Sequence, residues 1–211
     1  ELDIYPGEYL LEVYKENILV CNKSVVLNSS DVELYAICNI SDLTLRILSL
    51  DGKPVRDAKV VLEGLDRVLQ NTTDENGCVS FKNLPFHNYR VYVVNYNVNI
   101  GEANVSLSST SSVEKLTVNA TDFCARIVGE RGQGLENAEI VLFFPNSTLT
   151  LLTDKNGYAR FENLPVGEWE VTARYKNLSL RSKVRIAEGE CTLIKFRVFL
   201  EFFNIVLSYD T

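Results

Sequence analysis

The sequence holds a single histidine, His87, in 211 residues. That scarcity excludes most hydrolytic machinery. A Ser-His-Asp or Cys-His arrangement would have to rest on His87 alone, and it stands in "LPFHNYR", where a later, matching stretch has the turn residue Gly167. The expected place of His87 is therefore a solvent-facing turn. There is no glycine-rich phosphate loop. Asp and Glu are scattered, with no pair on a recognisable scaffold for glycosidase chemistry. The chain is expected not to be an enzyme.

Other absences narrow the class further. Positive charge is in deficit: 21 Lys and Arg against 28 Asp and Glu leave a net charge of -7, so there is no basic footprint for a nucleic acid. No apolar run approaches the roughly 20 residues a bilayer span needs. No stretch keeps a helical period. The five cysteines (Cys21, Cys38, Cys78, Cys124, Cys191) lack CxxC spacing and have one histidine to join them, which argues against zinc. The sequence opens on Glu1 rather than Met and shows no leader, which suggests a processed or excised product.

What is present is asparagine in a particular context. Eight Asn-X-Ser/Thr sequons stand at Asn22, Asn28, Asn39, Asn71, Asn104, Asn119, Asn146 and Asn177, where 19 Asn and 27 Ser plus Thr give about two or three by chance. One sequon means nothing in a cytosolic protein; the excess points to a secreted surface protein carrying covalent N-linked glycans, with no other cofactor expected. The cysteines fit the same compartment. Several pairings are open, and some thiols can be simple buried side chains. The preferred reading pairs Cys21 with Cys38 and Cys124 with Cys191 and leaves Cys78 unpaired.

The second feature is repetition. "TDENGCVSFKNLP" (73–85) returns as "TDKNGYARFENLP" (153–165), 80 residues later. At the same offset Leu43, Leu45 and Ile47 match Phe123, Ala125 and Ile127. "YPGEYLLEVYKENI" (5–18) reads like "LPVGEWEVTARYKNL" (164–178), and in "FFNIVLSYD" (202–210) Phe203, Ile205 and Leu207 fall 80 residues after Phe123, Ala125 and Ile127. The expected organisation is a partial repeat over 1–41, full repeats over 42–121 and 122–200, and a further first strand over 201–211. Within each copy short apolar runs alternate with Asp-Gly and Asn-Gly turns every 8–12 residues. Roughly seven strands per copy predict an all-β chain of tandem antiparallel β-sandwich domains, Ig-like or prealbumin-like. Asp74 and Asp154 are expected to cap their own turns, with Gly77 and Gly157 at positive φ. Calcium ligation there has no supporting carboxylate cluster. Trp169, where the first copy has Tyr89, is expected to fill the core rather than form a sugar platform.

"DGKPVRDAKVVL…TTDENGCVSFKNLP…YRVYVV" and "GQGLENAEIVL…LTDKNGYARFENLPVGEWEVTA" resemble the carboxypeptidase-regulatory-like, transthyretin-like and Cna B-type sandwich domains. The resemblance implies non-catalytic spacers, stalks, adhesin segments or appendages of secreted enzymes. Many Cna B-type domains carry a Lys–Asn isopeptide with the lysine on the first strand; here Arg46 and Arg126 stand there, so none is expected.

The two ends supply the functional expectation. Phe203, Ile205, Leu207 and Tyr209 alternate on one side of a strand, and docking all four would contribute on the order of 6–12 kcal/mol. The expected partner is the partial repeat of another copy, in a head-to-tail polymer, or adjoining repeats of a longer chain. This arrangement resembles, in architecture and not in any motif, the donor-strand-complemented archaeal thread pilins. The chain thus reads as a structural subunit of an extracellular, glycosylated filament or stalk. The alternative is an adhesin or carbohydrate-binding segment of a larger secreted protein.

Overall fold

A computed structural model describes residues 5–28, 33–108, 112–187 and 192–198. Its elements are sixteen strands: β1 Gly7–Lys15, β2 Ile18–Leu27, β3 Ile40–Leu48, β4 Lys59–Gly64, β5 Arg67–Thr72, β6 Cys78–Pro85, β7 His87–Asn95, β8 Val98–Leu107, β9 Ser112–Thr117, β10 Ala120–Gly129, β11 Glu139–Phe144, β12 Ser147–Leu152, β13 Tyr158–Pro165, β14 Gly167–Tyr175, β15 Leu178–Ile186 and β16 Thr192–Val198. Two compact units divide the chain. One takes residues up to Leu48, Pro54–Val93 and Gly101–Val118; the other takes Ser49–Lys53, Val94–Ile100 and residues from Asn119 on.

Each full repeat is a seven-strand sandwich. In the first, a sheet of order β6-β3-β9 faces one of order β5-β4-β7-β8; in the second the orders are β13-β10-β16 and β12-β11-β14-β15. The alternation that makes strands also makes the core, because a period of two sends every other side chain inward. Leu43, Leu45 and Ile47 of β3 are fully buried, as are Phe123, Ala125 and Ile127 of β10. On the opposite sheet Val91 and Val93 of β7 are fully buried in turn, and Val171 and Ala173 of β14 share one core cluster with the β10 residues. Trp169 packs against the second core with its ring 4.9 Å from Phe144, in keeping with its expected core role.

One pairing departs from the expected antiparallel pattern. β3 pairs β9 in parallel, Leu45 beside Glu114 and Ile47 beside Leu116, and β10 pairs β16 in parallel in the same way. The reason is the route of the chain. After β8 or β15 it crosses from the four-stranded sheet to the three-stranded one and therefore arrives beside the first strand running in the same direction.

The turns behave as their chemistry requires. Asp74 Oδ1 accepts the N–H groups of Asn76 (2.9 Å) and Cys78 (2.7 Å), and Asp154 Oδ1 those of Asn156 (2.8 Å) and Tyr158 (2.9 Å). Gly77 and Gly157 take φ of +71° and +80°. These carboxylates are turn caps, with their lone pairs given to backbone N–H groups.

Candidate assembly surface

β1 and β2 form a two-stranded sheet of their own, and their residues identify what they are. β1, β7 and β14 open at Gly7, His87 and Gly167, and β2, β8 and β15 open at Ile18, Val98 and Leu178, always 80 apart. The side chains agree. Tyr9 donates its hydroxyl to the Tyr5 carbonyl at 2.7 Å, Tyr89 to the Pro85 carbonyl at 2.8 Å, and Trp169 its indole N–H to the Pro165 carbonyl at 2.7 Å. One aromatic latch thus recurs three times, and the hairpin is a third copy of the β7–β8 ribbon.

Its surroundings differ. β7 has β4 on its outer edge and β14 has β11; among the described residues no strand pairs with that edge of β1. Tyr9 is accordingly 40% exposed where Tyr89 is 3% exposed, and Leu11 and Val13 are half-buried where Val91 and Val93 are fully buried. Residues 33–38 follow the same logic. They are the counterpart of β9 and β16 but form no strand, and Tyr35 (79%) and Ile37 (93%) stand exposed. Leu10, Tyr14, Leu19, Val26 and Leu34 are exposed as well.

All eight sequon asparagines are exposed. Asn146 and Asn177 lie in the β11–β12 and β14–β15 hairpin turns, and Asn71 donates from Nδ2 to the Ser80 carbonyl at 3.1 Å while its Oδ1 accepts the Thr72 N–H at 2.9 Å. His87 is exposed, its ring edge-on to Tyr89 at 5.6 Å. Cys21, Cys38, Cys78 and Cys124 are half-buried, each with a free thiol. Cys191, and Phe203, Ile205, Leu207 and Tyr209 of the expected inter-subunit strand, lie outside the described residues. Among the described residues no group of three or more His, Cys, Asp or Glu is placed to hold a metal ion, and no helix is long and apolar enough to cross a membrane.

A repeated acid escaped the sequence reading. Asp42 Oδ1 accepts the N–H of Asn83 at 2.8 Å, and Asp122 Oδ1 that of Asn163 at 3.3 Å. Both asparagines are left-handed, with φ of +52° and +55°, and both acids sit where the register of the first strand shifts. Each carboxylate therefore ties down a kink in the neighbouring strand. Asp42 also holds Lys82 at 2.8 Å, and the Lys82 ammonium with the Asn83 N–H keeps its carboxyl below the usual range. Asp122 is 2% exposed. Burial pushes its carboxyl up, but Lys53, the Asn163 N–H and Arg160 outweigh burial and hold it below the ordinary carboxylate range. The signal was available, since Asp42 and Asn83 recur at Asp122 and Asn163.

Residues 125–198, from within β10 to the end of β16, match the carboxypeptidase regulatory-like domain family. The first repeat has the same strand order. No curated protein matches the chain. Among solved structures, the Bacillus anthracis TIE protein shares 17% identity over 91% of this chain at a TM-score of 0.37, and this chain spans 41% of that protein. The minor pilin of Streptococcus agalactiae shares 16% identity over 80% of this chain and 100% of its own, at a TM-score of 0.39. A streptococcal ancillary pilin shares 17% over 92% of this chain and 76% of its own, at 0.32.

Proposed function

We propose that the chain is a structural segment of an extracellular, N-glycosylated filament or cell-surface stalk, joined head to tail by β-strand complementation. The observation that carries this reading is the open ribbon β1–β2, built like β7–β8 and latched like it, yet with Tyr9 exposed and Leu11 and Val13 only half-buried. Residues 33–38, the counterpart of β9 and β16, form no strand either, and an unpaired edge is a template for another strand. The full repeats supply the register. Leu45 lies beside Glu114 and Ile47 beside Leu116 in parallel; with the first strand carried forward by 160 residues and the closing strand back by 80, Ile205 of one copy would fall beside Leu34 of the next, and Leu207 beside Ala36. Eight exposed sequons support the extracellular setting, because attached glycans must face solvent.

The test is deletion of residues 202–211 followed by electron microscopy of the purified protein. Loss of long fibres with retention of the folded repeats is the expected result; undiminished fibres would remove strand complementation. A second reading, a sugar-binding surface, is favoured by the exposed rings of Tyr5, Tyr14 and Tyr35. It requires a rise in melting temperature with added glycan that is lost in the Tyr14→Ala and Tyr35→Ala variants.

A further inference from the structure

We infer that Cys21 and Cys38 form a disulfide that fastens residues 33–38 to β2. The inference rests on the repeat. Val20 and Asn39 are joined by a backbone hydrogen bond, Asn39 N–H to Val20 carbonyl at 2.6 Å, and their counterparts make the same bond, Asn119 N–H to Ile100 carbonyl at 2.7 Å. Cys21 follows Val20 and Cys38 precedes Asn39, so the two thiols occupy the places of Gly101 and Val118. In the full repeat those places are in direct contact. A Cβ added to Gly101 would lie 3.2 Å from Val118 Cβ and 2.7 Å from its Cγ1, which leaves room there for glycine only. A disulfide needs its two Cβ atoms about 3.5–4.5 Å apart. The repeat therefore puts Gly with Val at a pair of positions where the ribbon puts Cys with Cys, at a spacing that a small outward shift brings into bonding range.

Other contacts keep the alignment. Lys23 Nζ donates to the Tyr35 carbonyl at 2.9 Å, so residues 33–38 run alongside β2 beyond the cysteines. Both thiols are half-buried and within reach of a reagent in solution. The oxidant is a disulfide, either a small-molecule one or that of an oxidoreductase. The thiolate of one cysteine attacks a sulfur of the oxidant, giving a mixed disulfide and releasing one thiol. The second cysteine attacks the protein-side sulfur of that mixed disulfide and displaces the other, so two thiols leave carrying the two cysteine protons, the cysteines are oxidised and the reagent is reduced. A ribbon too small to bury a core of its own gains most from such a staple. The bond would hold ready the edge on which the proposed donor strand docks.

The experiment uses the full chain, native, with glutathione disulfide as oxidant and mass analysis of an unreduced digest. The expected product is one cross-linked peptide pair joining Cys21 to Cys38, two hydrogens lighter than its parts. In Cys21→Ser it disappears and Cys38 is left as a glutathione adduct. Amide exchange across residues 33–38 slows on oxidation and recovers with reductant. Separate glutathione adducts on Cys21 and Cys38 in the unaltered chain, or pairing of either with Cys78 or Cys124, would overturn the inference, and so would exchange that oxidation leaves unchanged. Fibre formation is scored apart from the bond, so a bonded chain that makes no fibres refutes strand complementation and leaves this inference standing.

Discussion

The ammonium of Lys53 rests on the carboxylate of Asp122, an acid buried inside the second unit and shared with Arg160. Its lowered folded-state pKa fixes a sign: a depressed acid contributes stability above the ordinary carboxylate range, near 4, and loses it as pH falls through the folded value. Asp122→Asn should cost about 1–3 kcal/mol at neutral pH, the worth of hydrogen bonds to a charged group. Melting temperatures should begin to converge as pH falls below about 4, where the unfolded acid takes up its proton, and meet once pH has passed the lower, folded value. Parallel curves through that window would contradict the assignment.

Thr153 is buried, donates to the Leu135 carbonyl at 2.6 Å and accepts the Ala138 N–H at 2.8 Å. Thr153→Val keeps the shape and strands both backbone groups, at an expected cost of about 1–3 kcal/mol in denaturant titrations. Thr153→Ser retains the hydroxyl and should recover most of it.

Gly132 and Gly157 share a φ of +80° and separate two effects. A Cβ at Gly132 meets nothing within 4 Å, whereas at Gly157 it would lie 2.2 Å from the Ile127 carbonyl oxygen. Gly132→Ala should cost about 1–2 kcal/mol, the left-handed penalty for an L side chain. Gly157→Ala should add at least about 1–3 kcal/mol of overpacking. Equal losses would mean that the turn yields freely.

Asn→Gln at each sequon, in a glycosylating secretory host, should remove one glycan step from the intact mass and change stability by no more than about 0.5 kcal/mol. Asn71 is the expected exception, since its amide bridges Thr72 and Ser80; its loss should approach about 1 kcal/mol.

The repeat, the strands and the turn caps were legible because each depends on local pattern: alternation sets the buried face, and Asp-x-Asn-Gly sets the corner. Trp169 and Tyr89 were matched by alignment, and the stretch at 5–18 carries Tyr9 to the same place, but their shared latch was hidden, since it lies in a bond to a carbonyl four residues back. The role of Asp42 and Asp122 was hidden for a different cause. Each acts on a backbone N–H 41 residues away, and composition alone makes such an acid look like surface charge. The parallel pairing of first and closing strands was missed because alternation is blind to strand direction.

That pairing has a mechanical consequence. Each full repeat is entered along its first strand and left along its last, and the two lie side by side pointing the same way. Tension applied along the chain therefore pulls the two strands past each other lengthwise. The rungs between them bear the load together instead of peeling open one at a time.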